Sequence, residues 1–255
     1  MNTKQIVEQI LWFPWTLWCV VVFGVAMAIA FPIMVLIVAS KNEKWLYHAH
    51  FLPPKFARAV LLLWGVRMVQ HNCEVSQPDT QTIFVSNHRS YLDGIVASAI
   101  IPNFSKFLGK AEILSWPVLG YIMKHLYVSV QREDEQDRQR SMNEMREKLK
   151  TGASFFICPE GTCNTTPALL KYFHHGAFRL AIENKLPLVP LTFVNTGNIF
   201  PRHGLMLKPG TVHVYWHEPI ETTAIDLTEL EQLEKTTKAT LMSDLLKHYP
   251  SGKYY

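Results

Sequence analysis

Charged side chains are absent from a long stretch near the beginning of this sequence. Residues 9–40 contain no Asp, Glu, Lys or Arg, whereas a bilayer core requires only ~20 apolar helical residues. The stretch is too long for the core of a signal peptide, and no clear small-residue cleavage site accompanies it. We therefore predict a membrane segment rather than a buried core helix. It is either one long helix or, because Pro14 and Pro32 remove backbone donors, a broken or re-entrant hairpin.

Cysteine is scarce, and its spacing argues against several kinds of site. The four cysteines form no C-x-x-C pair and show no metal-type spacing. A metal pair of His213 and His217 is disfavoured, because four strand residues at ~3.3 Å each would separate them by ~13 Å. We therefore expect a reduced protein that faces the cytosol, with no metal site and no resident cofactor.

Basic charge is concentrated near the apolar stretch. Residues 1–70 hold six of the 25 Lys and Arg residues but only two of the 21 Asp and Glu residues, so the remainder is neutral. This pattern favours anionic lipid headgroups over nucleic acid as partners. Lys41 and Lys44 follow the apolar stretch, so the positive-inside tendency predicts that the rest of the chain lies on the cytoplasmic face of the inner membrane.

A second membrane-facing segment is predicted at residues 51–69, where Lys55, Arg58 and Arg67 interrupt apolar side chains. Such spacing is typical of a helix that lies in the headgroup layer. Residues 70–81 are polar and turn-rich. We therefore divide the chain into membrane-anchoring helices at residues 1–70 and a catalytic-looking α/β domain at residues 71–255.

The remaining sequence alternates between short apolar runs and longer amphipathic ones. Strands are predicted at Thr82–Ser86, Tyr127–Val130, Phe155–Cys158, Leu188–Val194 and Val212–Trp216. Helices are predicted at Gly94–Ile101, Pro117–Lys124, Glu133–Lys150, Gly176–Glu183 and Glu229–Lys247. The alternation predicts an α/β fold with a central mixed or mostly parallel sheet flanked by helices.

The first predicted strand runs into N-H-R-S-Y-L-D at residues 87–93. A neutral imidazole can accept a proton at physiological pH, and a carboxylate on its other nitrogen fixes the tautomer. His88 and Asp93 would point apart on one continuous helix, so they can pair only if His88 lies in a loop and Asp93 opens the helix. No G-x-S-x-G elbow is present, which favours a histidine that activates a hydroxyl of the substrate. Alternatively, Asp93 is only a helix cap.

A second strand runs into C-P-E-G-T at residues 158–162. Gly161 permits an unusual φ or a close backbone approach. Exposed amides and the Thr162 hydroxyl can hold an anionic oxygen, and Glu160 can accept a substrate hydroxyl or orient a basic group. Taken alone, P-E-G-T is also an ordinary turn.

Together, H-x4-D after one strand and P-E-G-T after another, downstream of a membrane anchor, resemble the glycerolipid acyltransferases, in particular those of the PlsC type that act on 1-acylglycerol-3-phosphate. The resemblance extends over most of residues 82–220. Its other segments are F-L-G-K-A-E at 107–112, P-V-L-G at 117–120, V-S-V-Q-R at 128–132 and L-V-P-L-T-F at 188–193.

This resemblance implies a role for each matching residue. His88 is the general base and Asp93 orients it, while the acceptor hydroxyl attacks the thioester of acyl-CoA or acyl carrier protein in one direct transfer. The residues implied to bind the phosphate end of the lysophospholipid are Lys110, Arg132, Glu160, Gly161 and Thr162. The product would be phosphatidic acid, made at a surface of membrane lipids.

The sequence departs from the family pattern at several positions. The block usually reads F-P-E-G-T-R, but Cys158 and Cys163 stand at its first and last positions. His174 and His175 stand where lysines are usual. The missing guanidinium leaves the acceptor open, so a different lysolipid or an aminolipid is an alternative. A non-catalytic lipid-binding protein fits less well, because the base and its acidic partner are both present.

Overall fold

The computed structural model of the chain describes residues 3–40, 45, 52–75, 80–101, 104–116, 120–121, 127–131, 134–201 and 206–254. The helices are α1 Thr3–Ala39, α2 Leu52–Leu63, α3 Leu92–Ile100, α4 Glu135–Lys150, α5 Gly176–Asn184, α6 Thr196–Ile199 and α7 Leu230–His248. The strands are β1 Val66–His71, β2 Ile83–Ser86, β3 Ser105–Lys110, β4 Tyr127–Val130, β5 Ser154–Ile157, β6 Leu188–Val194 and β7 Gly210–Trp216.

These strands form one sheet in the order β1-β7-β6-β2-β5-β3-β4. Strand β2 runs parallel to both β5 and β6, and β3 runs parallel to both β4 and β5. Every residue of β2, β5 and β6 is buried, as expected for strands covered on both faces. The predicted α/β fold with a mixed, mostly parallel sheet is therefore confirmed.

The element boundaries differ from the predictions in a few places. The predicted helix at residues 51–69 ends at Leu63, and Val66–His71 forms strand β1 instead. The predicted division after residue 70 falls inside this strand. Strand β3 was not predicted, because two lysines and a glycine interrupt its apolar residues. Of the predicted helix Pro117–Lys124, only residues 120 and 121 lie within the described part of the chain.

The chain forms two compact units. The first comprises Met1–Val69, Arg89–Ile100 and Val194–His213, and the second comprises Gln70–His88, Ile101–Phe193 and Val214–Tyr255. In the first unit, helices α1 and α2 pack together, since the indole N–H of Trp64 donates to the carbonyl oxygen of Cys19 (2.9 Å). The guanidinium Nε of Arg58 on α2 donates to the carbonyl oxygen of Ala99 on α3 (2.7 Å).

Helix α1 continues through Pro14 and Pro32 without a break, so the hairpin alternative is not what the structure shows. Its apolar part, Leu11–Ile37, has 27 residues and is ~40 Å long at ~1.5 Å per residue, more than a ~30 Å bilayer core requires. Length and composition therefore permit this helix to cross a membrane. Only 17% of its most apolar window is buried, which distinguishes it from a buried core helix.

In the second unit, large aromatic side chains fill the core beside the sheet. Phe84 meets Trp216 edge-on with ring centroids 6.2 Å apart, and Phe156 stacks on Phe193 at 6.0 Å. Fully burying each such ring contributes ~1.5–3 kcal/mol. This packing fixes β2 and β5, which lead into the H-x4-D and P-E-G-T motifs, and β6, which contains the L-V-P-L-T-F segment.

Candidate active site

The parallel strands of the second unit bring the predicted motifs to one edge of the sheet. Strands β2, β5, β3 and β4 are joined by parallel pairings, so their carboxyl ends point the same way. His88 follows β2, and the turn at residues 158–162 follows β5. In open α/β sheets, ligands bind at this edge. The alternation of strands and helices in the sequence was the signal that predicted this arrangement.

The main chain of His88 is held on both sides by the turn that follows β5. Its backbone N–H donates to Oε1 of Glu160 (2.8 Å), and its carbonyl oxygen accepts from the N–H of Asn164 (2.6 Å). Because these contacts fix the peptide groups on both sides of the Cα atom, they restrict where the imidazole can lie. The structure thus joins the H-x4-D and P-E-G-T motifs, which are far apart in sequence.

Glu160 is only 2% exposed, and its carboxylate accepts hydrogen bonds from two separate segments of main chain. While Oε1 accepts from His88, Oε2 accepts the backbone N–H of Lys171 (3.0 Å). Hydrogen bonds to a carboxylate are stronger than neutral ones. The residue that the resemblance associates with substrate is therefore one that positions His88 and the segment at residue 171.

Asn87 anchors the same loop to strand β6. Its Nδ2 donates to the carbonyl oxygen of Phe193 (2.8 Å), and its Oδ1 accepts the N–H of Phe193 (2.8 Å). Asn87 is 1% exposed, so both bonds are shielded from water. These two hydrogen bonds are of the kind that a residue of a neighbouring strand would form with Phe193. The segment after β2 therefore stays joined to β6 beyond the end of β2.

The imidazole of His88 lies against the buried thiol of Cys163. The Sγ atom is 3.1 Å from Nε2 and 3.6 Å from Nδ1. Both distances lie within the range of a hydrogen bond that involves sulfur, so the thiol is a hydrogen-bond partner of the imidazole. His88 is also partly exposed, so Cys163 holds the ring without burying it.

A cationic side chain lies beside the P-E-G-T turn. Nζ of Lys171 donates to Oγ1 of Thr162 (2.6 Å). Gly161 has φ +72°, and a Cβ atom there would come within 2.7 Å of the His174 ring. The turn therefore requires glycine for its backbone conformation and for the close approach of His174.

Asp93 belongs to the first unit, where it forms hydrogen bonds at the beginning of α3. Its Oδ2 accepts the N–H groups of Arg89 (2.7 Å) and Ser90 (2.8 Å), and the residue is fully buried. Residues 89–93 thus make the bend that the H-x4-D spacing requires. The helix-cap alternative accounts for these two bonds, and the pairing of Asp93 with His88 stays a prediction.

Lys110 and Arg132, the two cations predicted to bind phosphate, are less fully described. Lys110 is the last residue of β3, and its backbone pairs in register with Val130 of β4. The side chain of Lys110 and the whole of Arg132 lie outside the described residues. Their roles in binding a phosphate stay predictions.

Two ionisable side chains on these neighbouring strands have altered pKa values. Burial raises the pKa of Tyr127 to about 12, so its phenol stays neutral at physiological pH. Burial also lowers the pKa of Lys106 to about 8, with a further contribution from nearby Lys148. The described residues contain no cluster of three or more His, Cys, Asp or Glu side chains suited to a metal ion.

Comparison with protein families identifies the domain that carries this geometry. A family model described as Acyltransferase matches residues 67–194, half of the chain. This chain belongs to the acyltransferase family. The match contains the loop with His88, the turn with Glu160 and the β6 segment that binds Asn87, so the contacts between these segments lie within the family domain.

Relatives of this acyltransferase family member include enzymes with two kinds of acceptor in their names. A chloroplastic 1-acyl-sn-glycerol-3-phosphate acyltransferase from Brassica napus is 32% identical over 180 residues, which cover 70% of this chain and 52% of that protein. A lyso-ornithine lipid O-acyltransferase from Pseudomonas aeruginosa is 27% identical over 169 residues, which cover 60% of this chain and 64% of that protein. The chain spans about half the length of the first curated relatives it matches.

The fold is also that of a solved acyltransferase. The crystal structure of the 1-acyl-sn-glycerophosphate (LPA) acyltransferase PlsC from Thermotoga maritima superposes with a TM-score of 0.80, covering 94% of this chain and 97% of that one. At 21% sequence identity, this likeness shows the shared fold. The apolar helix α1, together with membership in the family, suggests a membrane protein.

Three residues of this site were not predicted to contribute from the sequence. Asn87 and Asn164 hold the His88 loop, and Lys171 binds Thr162. Asn87 stands directly before the histidine, but its partner is on a distant strand, so no local pattern marks it. Lys171 lies outside the P-E-G-T segment, and only the fold brings it to the turn.

Proposed function

We propose that this protein transfers a fatty acyl group from acyl-CoA or acyl carrier protein to the free hydroxyl of a lysoglycerophospholipid, with 1-acylglycerol-3-phosphate as the acceptor and phosphatidic acid as the product. The main observation behind this proposal is the position of His88 at the carboxyl edge of the sheet. Its side chain is partly exposed, and its main chain is held by Glu160 and Asn164. The 1-acyl-sn-glycerol-3-phosphate acyltransferases among the relatives support the choice of acceptor.

In this reaction, His88 acts as a general base. A ring nitrogen removes the proton from the acceptor hydroxyl as its oxygen attacks the thioester carbonyl carbon. The tetrahedral intermediate then collapses with cleavage of the C–S bond, and the imidazolium returns the proton to the departing thiolate. The main-chain bonds from Glu160 and Asn164 preorganise the base, which removes part of the entropic cost of reaching the transition state.

Asp93 is proposed to orient the imidazole and to stabilise the imidazolium that forms during proton transfer. The variant Asp93→Asn separates this role from the loop contacts, since an amide oxygen can still accept the N–H groups of Arg89 and Ser90. We expect a large fall in kcat with an unchanged unfolding temperature. Loss of stability without a selective loss of kcat would restrict Asp93 to a structural role.

Lys110, Arg132, Gly161 and Thr162 are proposed to bind the headgroup phosphate. Cationic side chains and a hydroxyl supply the donors that a phosphate monoester requires. Glu160 contributes to this site through the position of the turn. The basic residues that flank the apolar stretch support placement of the domain on the cytoplasmic face of the membrane.

A second candidate acceptor is a lyso-aminolipid. It is supported by the lyso-ornithine lipid O-acyltransferase among the relatives and by Cys163, which stands where the family pattern has arginine. A panel of lysophosphatidate, other lysophospholipids and a lyso-ornithine lipid, offered to the purified protein with one acyl-CoA, separates the two candidates by their kcat/KM values.

The reaction itself is tested by thiol release from an acyl thioester. The full-length chain in detergent micelles should release thiol only when a lysolipid is present. His88→Ala should reduce the rate by at least the roughly 10²–10⁴-fold that general base catalysis contributes. His248→Ala, at the end of α7, is the matched control and should retain activity. Wild-type rates in His88→Ala would refute the mechanism, and no thiol release with any acceptor would refute the proposed reaction.

A further inference from the structure

The side chain of Lys171 places a positive charge beside the P-E-G-T turn. Within the part of the chain that the structure describes, no carboxylate oxygen forms an ion pair with its Nζ, and the hydrogen bond to Thr162 Oγ1 (2.6 Å) is its side-chain contact. An ammonium group has three N–H donors. Two of them therefore have no partner among the described residues, and the side chain is already partly buried.

This ammonium group is fixed in relation to the candidate base. The carboxylate of Glu160 binds the backbone N–H of Lys171 with Oε2 (3.0 Å) and the backbone N–H of His88 with Oε1 (2.8 Å). Residues 88 and 171 are thus attached to opposite oxygens of one buried side chain. The hydroxyl of Thr162 then directs the end of the lysine toward the P-E-G-T turn.

We propose that Lys171, together with Thr162, forms the subsite that binds the anionic headgroup of the acceptor and supplies the positive charge missing at position 163. This inference rests on the proposed function, because it assigns the acceptor's anion to a place beside its base. The ligand class is a phosphate monoester on a lysolipid. A partly desolvated cation without a carboxylate partner interacts more strongly with an anion than an exposed lysine does.

The neighbouring residues support this assignment. Cys163 is 3% exposed and packs against the His88 ring, so a side chain at position 163 contacts the base instead of providing a cation. Gly161 leaves the turn without a side chain, and the His174 ring covers it. Lys171 is therefore a cationic donor beside the turn, and it reaches the turn from a segment outside the motif.

The decisive experiment compares an anionic acceptor with an uncharged one. KM and kcat are measured for lysophosphatidate and for monoacylglycerol with the full-length chain in mixed micelles. Lys171→Met should raise the KM for lysophosphatidate roughly 10- to 100-fold, which is the range expected for loss of a hydrogen bond to a charged group. It should leave kcat and the kinetics with monoacylglycerol nearly unchanged.

Three further variants separate charge from structure. Lys171→Arg retains the positive charge and should restore most of the affinity for lysophosphatidate. Thr162→Val removes the hydroxyl that positions Nζ and should raise KM less than Lys171→Met does. Lys235→Met removes an equal charge from an exposed position on α7 and should change neither KM.

An unchanged KM for lysophosphatidate in Lys171→Met would overturn the inference while leaving the proposed function intact. An equal rise of both KM values would do so as well, because it would show that the lysine only supports the turn. If the wild-type protein cleaves no thioester, the proposed function fails, and equilibrium binding of lysophosphatidate still decides the inference. Equal affinities of wild type and Lys171→Met would then refute it.

Discussion

Replacing Glu160 with glutamine tests whether one buried carboxylate positions the base. The two side chains have nearly the same shape, but an amide offers one acceptor oxygen where the carboxylate has two. In the wild-type protein both oxygens accept backbone N–H groups, one from His88 and one from Lys171. In Glu160→Gln, one of these N–H groups would face an NH₂ group that cannot accept a hydrogen bond.

The cost follows from the burial of the site. Glu160 is 2% exposed, so water has little access to the backbone N–H group that loses its acceptor in Glu160→Gln. A hydrogen bond to a charged group contributes about 1.5–3 kcal/mol, and an unsatisfied buried donor costs a similar amount. We therefore expect Glu160→Gln to lower the free energy of unfolding by about 2–4 kcal/mol, or the unfolding temperature by roughly 4–15 °C.

We expect a separate loss of catalysis, because the amide cannot hold the main chains of both His88 and Lys171, and the His88 loop would then rely more on its hydrogen bond from Asn164 (2.6 Å). The assay is thiol release from acyl-CoA. It is run well below the unfolding temperature of the variant, so that a fall in rate does not result from unfolded protein. We expect kcat to fall at least tenfold. The matched control is Glu147→Gln, since Glu147 forms an ion pair with Lys150 in which both side chains are more than 60% exposed and such pairs contribute little.

An unfolding temperature and a kcat equal to wild type in Glu160→Gln would refute this reasoning, because the amide cannot satisfy both N–H groups in the observed geometry. A loss of stability with an unchanged kcat would refute the positioning role alone. It would show that the imidazole finds its reactive place without the contact between Glu160 and the His88 N–H group.

Two other substitutions test neighbouring features of the second unit. Gly161→Ala places a Cβ atom 2.7 Å from the His174 ring at φ +72° and should lower stability by about 1 kcal/mol or more, which thermal unfolding measures; no loss would contradict the observed turn conformation. Lys106→Met removes a lysine whose pKa burial lowers to about 8 from an ordinary 10.5. The folded state therefore disfavours the charged form, so stability is reduced below pH 8 and recovers as the pH rises toward 10.5. Lys106→Met should be more stable at pH 7 by up to about 3 kcal/mol and should lose this pH dependence, whereas a destabilised variant would refute the sign.

The sequence predicted best those strands that consist mostly of apolar residues and contain no charged side chain. Strands β4 and β6 have the predicted bounds, β2 begins one residue later than predicted, and β5 is shifted by one residue at both ends. Strand β3 was missed because its sequence S-K-F-L-G-K places lysines where a buried strand usually has apolar residues. Since Lys106 is 8% exposed, the structure accommodates a charge that the pattern of buried strands does not predict.

Strand β1 was interpreted as part of an interfacial helix for a related reason. Its sequence V-R-M-V-Q-H continues the mixture of basic and apolar residues of α2, and no proline separates the two elements. The helix ends at Leu63, and Gly65 with φ +64° turns the chain. A single glycine in an amphipathic run is a weak stop signal, so only tertiary pairing identifies the strand.

Within the candidate site, the family resemblance assigned both turns to one reaction, but the sequence did not show how they are joined. Strand order follows from general rules for α/β proteins, and these rules bring the segments after β2 and β5 to one edge. The joining contacts run from side chains to main chain over long separations, as between Glu160 and His88. Such a hydrogen bond uses the backbone of the partner residue. The amino-acid type of that partner therefore does not reveal the bond in the sequence.

The geometry of Glu160 also limits how the acceptor specificity of such a site can change. Because one carboxylate holds both His88 and Lys171, a substitution that shifts the P-E-G-T turn to fit another headgroup would also displace the base. An aspartate would be too short to reach both N–H groups, and a glutamine would oppose one of them. Lys171 lies beside the turn and its side chain can change without moving the turn, whereas a change at Cys163 would alter a contact of the His88 ring. We therefore expect headgroup preference in this chain to depend on the side chain of Lys171, while the turn itself stays fixed by the requirements of the base.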